Sequence, residues 1–252
     1  MANLFKHFLT TGLAFTMLMG GAAAGQAAST ALPVYEQLEY QVSWNGLPAG
    51  TLQQTIKRQS NGSYLLTVTA NTNRAVNIFY RLDSDQTSLF RLTGDRLQVL
   101  RYTHQNKGSE PFPREVRFDW EQMQAHMKNE KDGSKDVAIT RDTYDPNTLI
   151  QQIRFFPTSV KDPFMVVDGK SNKRLQIKDL GVNRIRTSAG EFAVRCVEQV
   201  DVQQNNPDKK RVASICYSQD ERHLPVELRF HSKYGDFVAR LKSIQTQTQT
   251  ST

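Results

Sequence analysis

The chain has 252 residues, 38% of them hydrophobic and 23% charged, with a formal charge of +7 and two cysteines. A basic balance of this kind suits contact with anionic lipid, lipopolysaccharide or acidic glycan, and with no nucleic-acid-binding motif it does not make a nucleic-acid partner. Lys6, the apolar run from Phe8 to Met19 and the small residues ending at Ala27 have the layout of a secretory signal peptide over 1–27.

That apolar core is shorter than the ~20 residues of a membrane span, and no Cys stands near the cleavage site to carry a lipid. The expected product is periplasmic, not a lipoprotein, with no transmembrane segment. Residues 28–252 are enough for one large β domain or two small ones.

In chain order, Leu38, Tyr40, Val42 and Trp44 alternate with polar residues as a half-buried strand. Asn45 to Gly50 is turn chemistry, and Leu52, Gln54, Ile56 and Arg58 continue with period two. Asn61-Gly62 turns into Tyr64, Leu66, Val68 and Ala70, completing a meander. Asn71 to Phe79 breaks the pattern as a loop or helical turn around Val76 and Phe79. Tyr80–Leu92, Leu97–His104, Glu115–Trp120, Gln122–Lys128 and Val137–Thr140 read as further strands, with a loop over Lys107–Pro113.

Asp145 to Phe156 then reads as a helix. Asp145 is a good N-cap, Pro146 fits the first turn, and Pro157 forbids continuation. Leu149, Ile150, Ile153 and Phe156 form its apolar face, with Asn147, Gln151, Gln152 and Arg154 opposite. Beyond it, Phe164–Val167, Arg174–Leu180, Arg184–Thr187, Phe192–Val202, Arg211–Tyr217, Pro225–Ser232 and Phe237–Ile244 read as strands, with Gly181 among the turns and a frayed polar tail over 245–252. About fourteen strands and one helix define an all-β fold of curved antiparallel sheets, a sandwich or incomplete barrel, as one domain with a short central helix at 145–156 plugging or flanking the concave face.

Cys196 and Cys216 are symmetric about residue 206, inside the Asn205–Asp208 turn. A hairpin folded there sets them side by side for a disulfide.

Signals for catalysis are few. The histidines after the leader, His104, His126, His223 and His231, sit in or beside strands at no metal-binding or nucleophile spacing. Asp83 and Asp85 share one strand face and could form a carboxylate pair for glycan hydrolysis, although the flanking Arg81 and Arg91 make a charge ladder the simpler reading. No catalytic residue, metal site or cofactor is assigned.

Aromatic residues concentrate early, at Tyr40, Trp44, Tyr64, Phe79, Tyr80, Phe90, Tyr102, Phe118 and Trp120. If their faces converge they line an apolar concavity under the helix; otherwise they form a packed core. The candidate ligand-binding set is Tyr40, Trp44, Tyr64, Phe118, Trp120, Leu149, Ile153 and Phe156. Basic residues concentrate later, and Arg184, Arg186, Lys209, Lys210 and Arg211 are the candidate anion-binding set, with a solvated face as the alternative.

Three stretches carry a family resemblance. They are Tyr40 to Gly50, Arg117-Phe118-Asp119-Trp120 ahead of the helix, and the run from Val167-Asp168-Gly169 through Ala189-Gly190-Glu191-Phe192 to Leu224-Pro225-Val226. In order and spacing the chain resembles the bacterial domain-of-unknown-function family 3108 over nearly its whole mature length. The resemblance implies an exported all-β envelope protein of unknown activity.

The leading expectation is therefore a non-enzymatic periplasmic protein that binds an apolar or amphiphilic envelope component in a concave sheet, an anionic lipid or glycolipid or an acidic glycan. A scaffold or accessory protein in envelope polysaccharide or outer-membrane assembly, with an envelope protein as partner, is the alternative. A glycan-active enzyme ranks last.

Overall fold

The computed structural model describes residues 32–73, 83–106, 113–205, 211–232 and 235–247. The first wing holds β1 (Tyr35–Trp44), β2 (Leu47–Arg58), β3 (Tyr64–Thr72), β4 (Ser84–Thr93), β5 (Arg96–Asn106), β6 (Arg114–Asp119), β7 (Gln124–Asn129) and β8 (Gly133–Ala138). After β9 (Thr143–Tyr144) and the helix α1 (Pro146–Phe155) come β10 (Phe164–Val167), β11 (Asn172–Thr187), β12 (Gly190–Asp201), β13 (Arg211–Ser218), β14 (Pro225–Ser232) and β15 (Gly235–Gln247).

All these strands join one curled sheet, in which β1 to β8 run outward in sequence from one side of a central β1–β15 pair and β14 to β9 run outward from the other. Every pairing is antiparallel except β9 with β10. The two wings meet where the β10–β11 turn packs on β6. Gly169 has no side chain there because a Cβ would lie 2.9 Å from the Arg114 Cβ. Below this seam Val167, with Met165, joins Val116, Phe118, Ala125 and Met127 in one apolar cluster.

Period-two alternation drives the strands. Glu36, Leu38, Tyr40 and Val42 of β1 are buried while their neighbours face outward. The β1–β2 turn is the pair Asn45-Gly46 alone, both at positive φ, the geometry a tight hairpin requires. Strand β2 therefore starts at Leu47, earlier than the turn chemistry through Gly50 implies.

Helix α1 forms where the sequence places it, with Asp145 as N-cap and Pro146 in the first turn. Its surroundings differ from the expected two-faced arrangement. Every residue from Asn147 to Phe155 is buried, the polar ones included, so the helix fills the lumen of the curled sheet. Leu149, Ile150 and Ile153 join the main core with Leu38, Tyr40 and Ile215. Burial of each such side chain contributes roughly 1.5–3 kcal/mol.

The polar side of the helix finds partners on the surrounding strands. Arg154 makes a bidentate ion pair with Glu36 of β1, Nη1 to Oε1 at 2.5 Å and Nη2 to Oε2 at 2.9 Å, and its Nε donates to the Arg222 carbonyl at 3.1 Å. The Gln151 amide donates to Gln54 Oε1 of β2 at 3.2 Å. Gln152 accepts from the Leu97 N–H at 2.7 Å and donates to the Asp95 carbonyl at 2.8 Å. From the other wing, the Tyr217 hydroxyl donates to the Ile150 carbonyl at 3.0 Å.

Three other features depart from the expected elements. Arg174–Leu180 and Arg184–Thr187 are parts of one long strand, β11, because Gly181 sits at a β-bulge and not at a turn. Gln245–Gln247 do not fray; they pair with Tyr35–Gln37. Strand β9 is too short to leave a periodic signal. The leader at 1–27, Val76 and Phe79, residues 107–112, most of the Asn205–Asp208 turn and the tail from 248 lie outside the described residues.

Cys196 and Cys216 are direct partners in the β12–β13 register and form a disulfide, as the hairpin symmetry predicts.

Two stability measurements follow. Arg154→Met leaves the Glu36 carboxylate buried without its cation and should cost about 3–5 kcal/mol in urea unfolding, while Glu36→Leu with Arg154→Met should recover much of that loss. Reducing the disulfide, which spans 20 residues, should lower stability by about 3 kcal/mol in the same assay.

Candidate ligand cavity

Above the N-terminal end of α1 the lumen is not filled. A partly enclosed cavity of about 420 Å³ lies there, within the ≈ 300–1,000 Å³ range of small-molecule sites. Its floor is the start of the helix, Pro146, Asn147 and Ile150. Helix position thus divides a packed lower lumen from an open upper one.

The cavity has two kinds of wall. The strands around the central β1–β15 pair supply an apolar back wall, with Val42, Leu52, Val68, Phe237 and Ala239 and, nearer solvent, Phe230. The two outer wings supply a polar front wall on either side of the seam. Gln86, Tyr102, His104 and Arg114 come from β4 to β6, facing Asp168, Ser171 and Lys173 around the β10–β11 turn. His104 and Arg114 are register partners in the β5–β6 ladder. One carboxylate, Asp168, stands in this wall with Arg114 and Lys173, and its Oδ1 accepts from the backbone N–H groups of Lys170 at 2.9 Å and Ser171 at 2.6 Å, which fixes the turn.

Front-wall polar groups hydrogen-bond to one another. The Tyr102 hydroxyl donates to Gln86 Oε1 at 2.9 Å, and the Asn147 amide donates to the same oxygen at 3.2 Å. Burial pushes the Tyr102 hydroxyl well above its ordinary value, so it stays neutral and serves as a hydrogen-bond donor, not a base.

Beneath the floor, the buried Asp145 carboxylate holds the helix start. Its Oδ1 accepts from the Asn147 N–H at 2.9 Å, the Thr148 N–H at 3.0 Å and Ser88 Oγ of β4 at 2.8 Å, and its Oδ2 accepts from Thr148 Oγ1. Burial raises this carboxyl above its ordinary value, and the hydrogen bonds offset part of the rise.

None of the eight residues expected to bind ligand lines this cavity. Tyr40, Trp44, Leu149 and Ile153 pack in the main core, Phe118 and Trp120 in the cluster beside the seam, and Tyr64 and Phe156 in a third cluster. Trp44 stacks on Phe237 with ring centroids 6.2 Å apart, Tyr64 on Phe90 at 5.5 Å, and Phe118 on Trp120 at 6.1 Å. Strand alternation places Tyr40, Tyr64 and Phe118 on the inner face, but they pack into the core, and Trp44 lies behind the cavity-lining Phe237. Of the early aromatic residues, Tyr102 reaches the cavity; Phe230 and Phe237 were visible only as members of strands.

Of the candidate anion-binding set, Arg184, Arg186 and Arg211 fall among the described residues. Arg184 and Arg186 are exposed on β11, both paired with Glu191, at 3.6 and 3.1 Å. Arg211 opens β13, while Lys209 and Lys210 lie outside the described residues. Of the Asp83 and Asp85 pair, Asp83 accepts from the Thr72 N–H at 3.0 Å and secures the end of β3.

These features define a class: a β-barrel-like protein made from one curled sheet, plugged by a helix and hollow at one end. Within that class the chain belongs to the family described as Protein of unknown function (DUF3108), whose model matches residues 39–242. Its fold is similar to the crystal structure of a β-barrel-like protein of the domain of unknown function DUF1849 from Brucella abortus, at 8% identity and a TM-score of 0.57, covering 85% of this chain and 98% of that one. MucB aligns at 10% identity over 88% of this chain and 89% of its own, and MucB in complex with MucA(peri) at 12% over 85% and 94%; TM-scores of 0.19 and 0.17 give these no weight. No curated protein matches the sequence.

The cap beneath the floor can be tested. Asp145→Ala should destabilise the protein by about 2 kcal/mol or more, since it removes a cap and strands buried donors. A raised carboxyl contributes most below the ordinary carboxylate range, and that contribution is lost as pH rises through its folded value. Asp145→Asn keeps an acceptor and does not titrate. It should therefore cost less than alanine and flatten the pH dependence of the thermal midpoint across that window.

Proposed function

We propose that this protein binds an amphiphilic ligand in the cavity above α1, with the ligand's apolar part against the β1–β15 side and its polar head toward the seam. The observation that carries this reading is the division of one cavity into an apolar back wall and a polar front wall. The polar wall holds Arg114 and Lys173 near the one lining carboxylate, Asp168, with Asp201 also 3.9 Å from Lys173, and these two cations favour a head that carries negative charge.

The disulfide suits a chain that folds in an oxidising compartment, and no helix among the described residues is long and apolar enough to cross a membrane. Together with the leader read over 1–27, this supports an exported protein that meets its ligand in the envelope. A scaffold working only through its outer surface would not need the hollow.

Titration with a dansyl-labelled undecanoic acid tests the proposal. The wild type should enhance and blue-shift the fluorescence, and Ala239→Trp, which fills the back wall, should weaken binding at least about tenfold. Lys173→Glu should weaken the fatty acid more than a zwitterionic alkyl phosphocholine. No uptake by a folded wild type, or full uptake by the folded Ala239→Trp variant, would sink it.

A further inference from the structure

The exposed outer part of the long β11–β12 hairpin is basic. From Arg174 to Arg195 it carries Arg174, Lys178, Arg184, Arg186 and Arg195 against Asp179 and Glu191, a surplus of three positive charges, while Glu198 and Asp201 farther along β12 are buried and Asp201 pairs with Lys173. Strand β10 pairs only with Asn172–Leu175, so beyond that point β11 is an edge of the sheet among the described residues. Two of the few exposed large apolar side chains stand on it, Leu180 at 48% and Val182 at 67% exposure.

Val182, Arg184 and Arg186 alternate onto one outward face, opposite Arg195, Ala193 and Glu191 of β12, while Phe192 and Val194 turn inward to the core. The outer surface is thus a narrow apolar strip in a field of guanidinium groups. Glu191 is shared between Arg184 and Arg186, and Asp179 pairs with Arg195, so carboxylates orient the cations without neutralising the strip.

We propose that this ribbon docks on an anionic lipid bilayer surface. Two exposed apolar side chains, Leu180 and Val182, make a meagre centre for a specific protein interface, whereas a few apolar side chains among cations suit reversible attachment to negatively charged headgroups. The aliphatic stems of the arginines can lie along the headgroup region while their charged ends meet phosphate. Addition of a partner strand fits less well, because the bulge between Asp179 and Gly181 and the row of cations are devices that block edge pairing. Arg186 lies roughly 35 Å along the strand from the cavity-lining Leu175, so the ribbon and the cavity mouth are separate surfaces. The proposal does not depend on the cavity being a ligand site.

Co-sedimentation with phosphatidylethanolamine–phosphatidylglycerol vesicles tests it. The wild type should bind at low salt, lose binding as salt rises, and bind phosphatidylcholine vesicles weakly. Arg184→Glu with Arg186→Glu should lower vesicle binding roughly tenfold or more, and Val182→Ser, at an exposed position, by a smaller factor. The charge-reversal variant should keep the wild type's uptake of the dansyl fatty acid, and Ala239→Trp should keep vesicle binding, so the two sites fail separately. A wild type that ignores anionic vesicles, ribbon variants that bind like the wild type, equal binding to neutral vesicles, or self-association through the ribbon without vesicle binding would each overturn it.

Discussion

A helix enclosed on every side must find partners for its polar groups within the protein, and this constraint shapes the molecule. Arg154 is held by Glu36 of β1, Gln151 meets Gln54 of β2, Gln152 bonds to the Leu97 N–H of β5, and Asp145 accepts from Ser88 of β4. From the other side Tyr217 of β13 reaches the Ile150 carbonyl. The helix is therefore fastened to both wings of a sheet that has no continuous ladder of its own across the seam. Breaking one member of the buried ion pair would leave a bare charge in the lumen, whose cost exceeds the net value of the pair.

The same anchoring decides where the hollow is. Lateral fastening sets how far α1 sits down the lumen, and the side chains of β1 to β5 below its first turn become core while those above it become wall. The polar front wall follows from the topology, because the outer parts of the two wings converge at the β10–β11 turn and bring Arg114 and Lys173 to the same side. A seam of packing and polar contacts, in place of a backbone ladder, is where such a wall can sit without interrupting strand pairing.

Local chemistry was legible in the sequence, and depth was not. Asp145, Pro146 and Pro157 mark the helix because capping and ring sterics act within a turn. Cys196 and Cys216 could be paired because a hairpin's register follows from the centre of its turn. Glu36, by contrast, stands in phase with Leu38, Tyr40 and Val42, which assigns it to the inner face; its partner is 118 residues away, and strand periodicity is silent about that. Likewise, Tyr64 and Tyr102 share the alternation of inward residues, yet one packs on Phe90 and the other reaches the cavity. Which of the two happens depends on the height of the helix, a tertiary quantity. Gly181 reads as a turn because glycine serves bulges and turns through the same backbone freedom.

The pairing of β1 with β15 has a kinetic corollary. Tyr35 lies opposite Gln247, so the joint that unites the two meanders links positions about as far apart as the described chain permits. Each meander can zip locally, but the lumen has no closed wall until these distant partners meet, and α1 has no complete set of neighbours before then. Assembly should therefore be slow for a polypeptide of this size, with a late, entropically costly step that leaves apolar inner faces transiently uncovered.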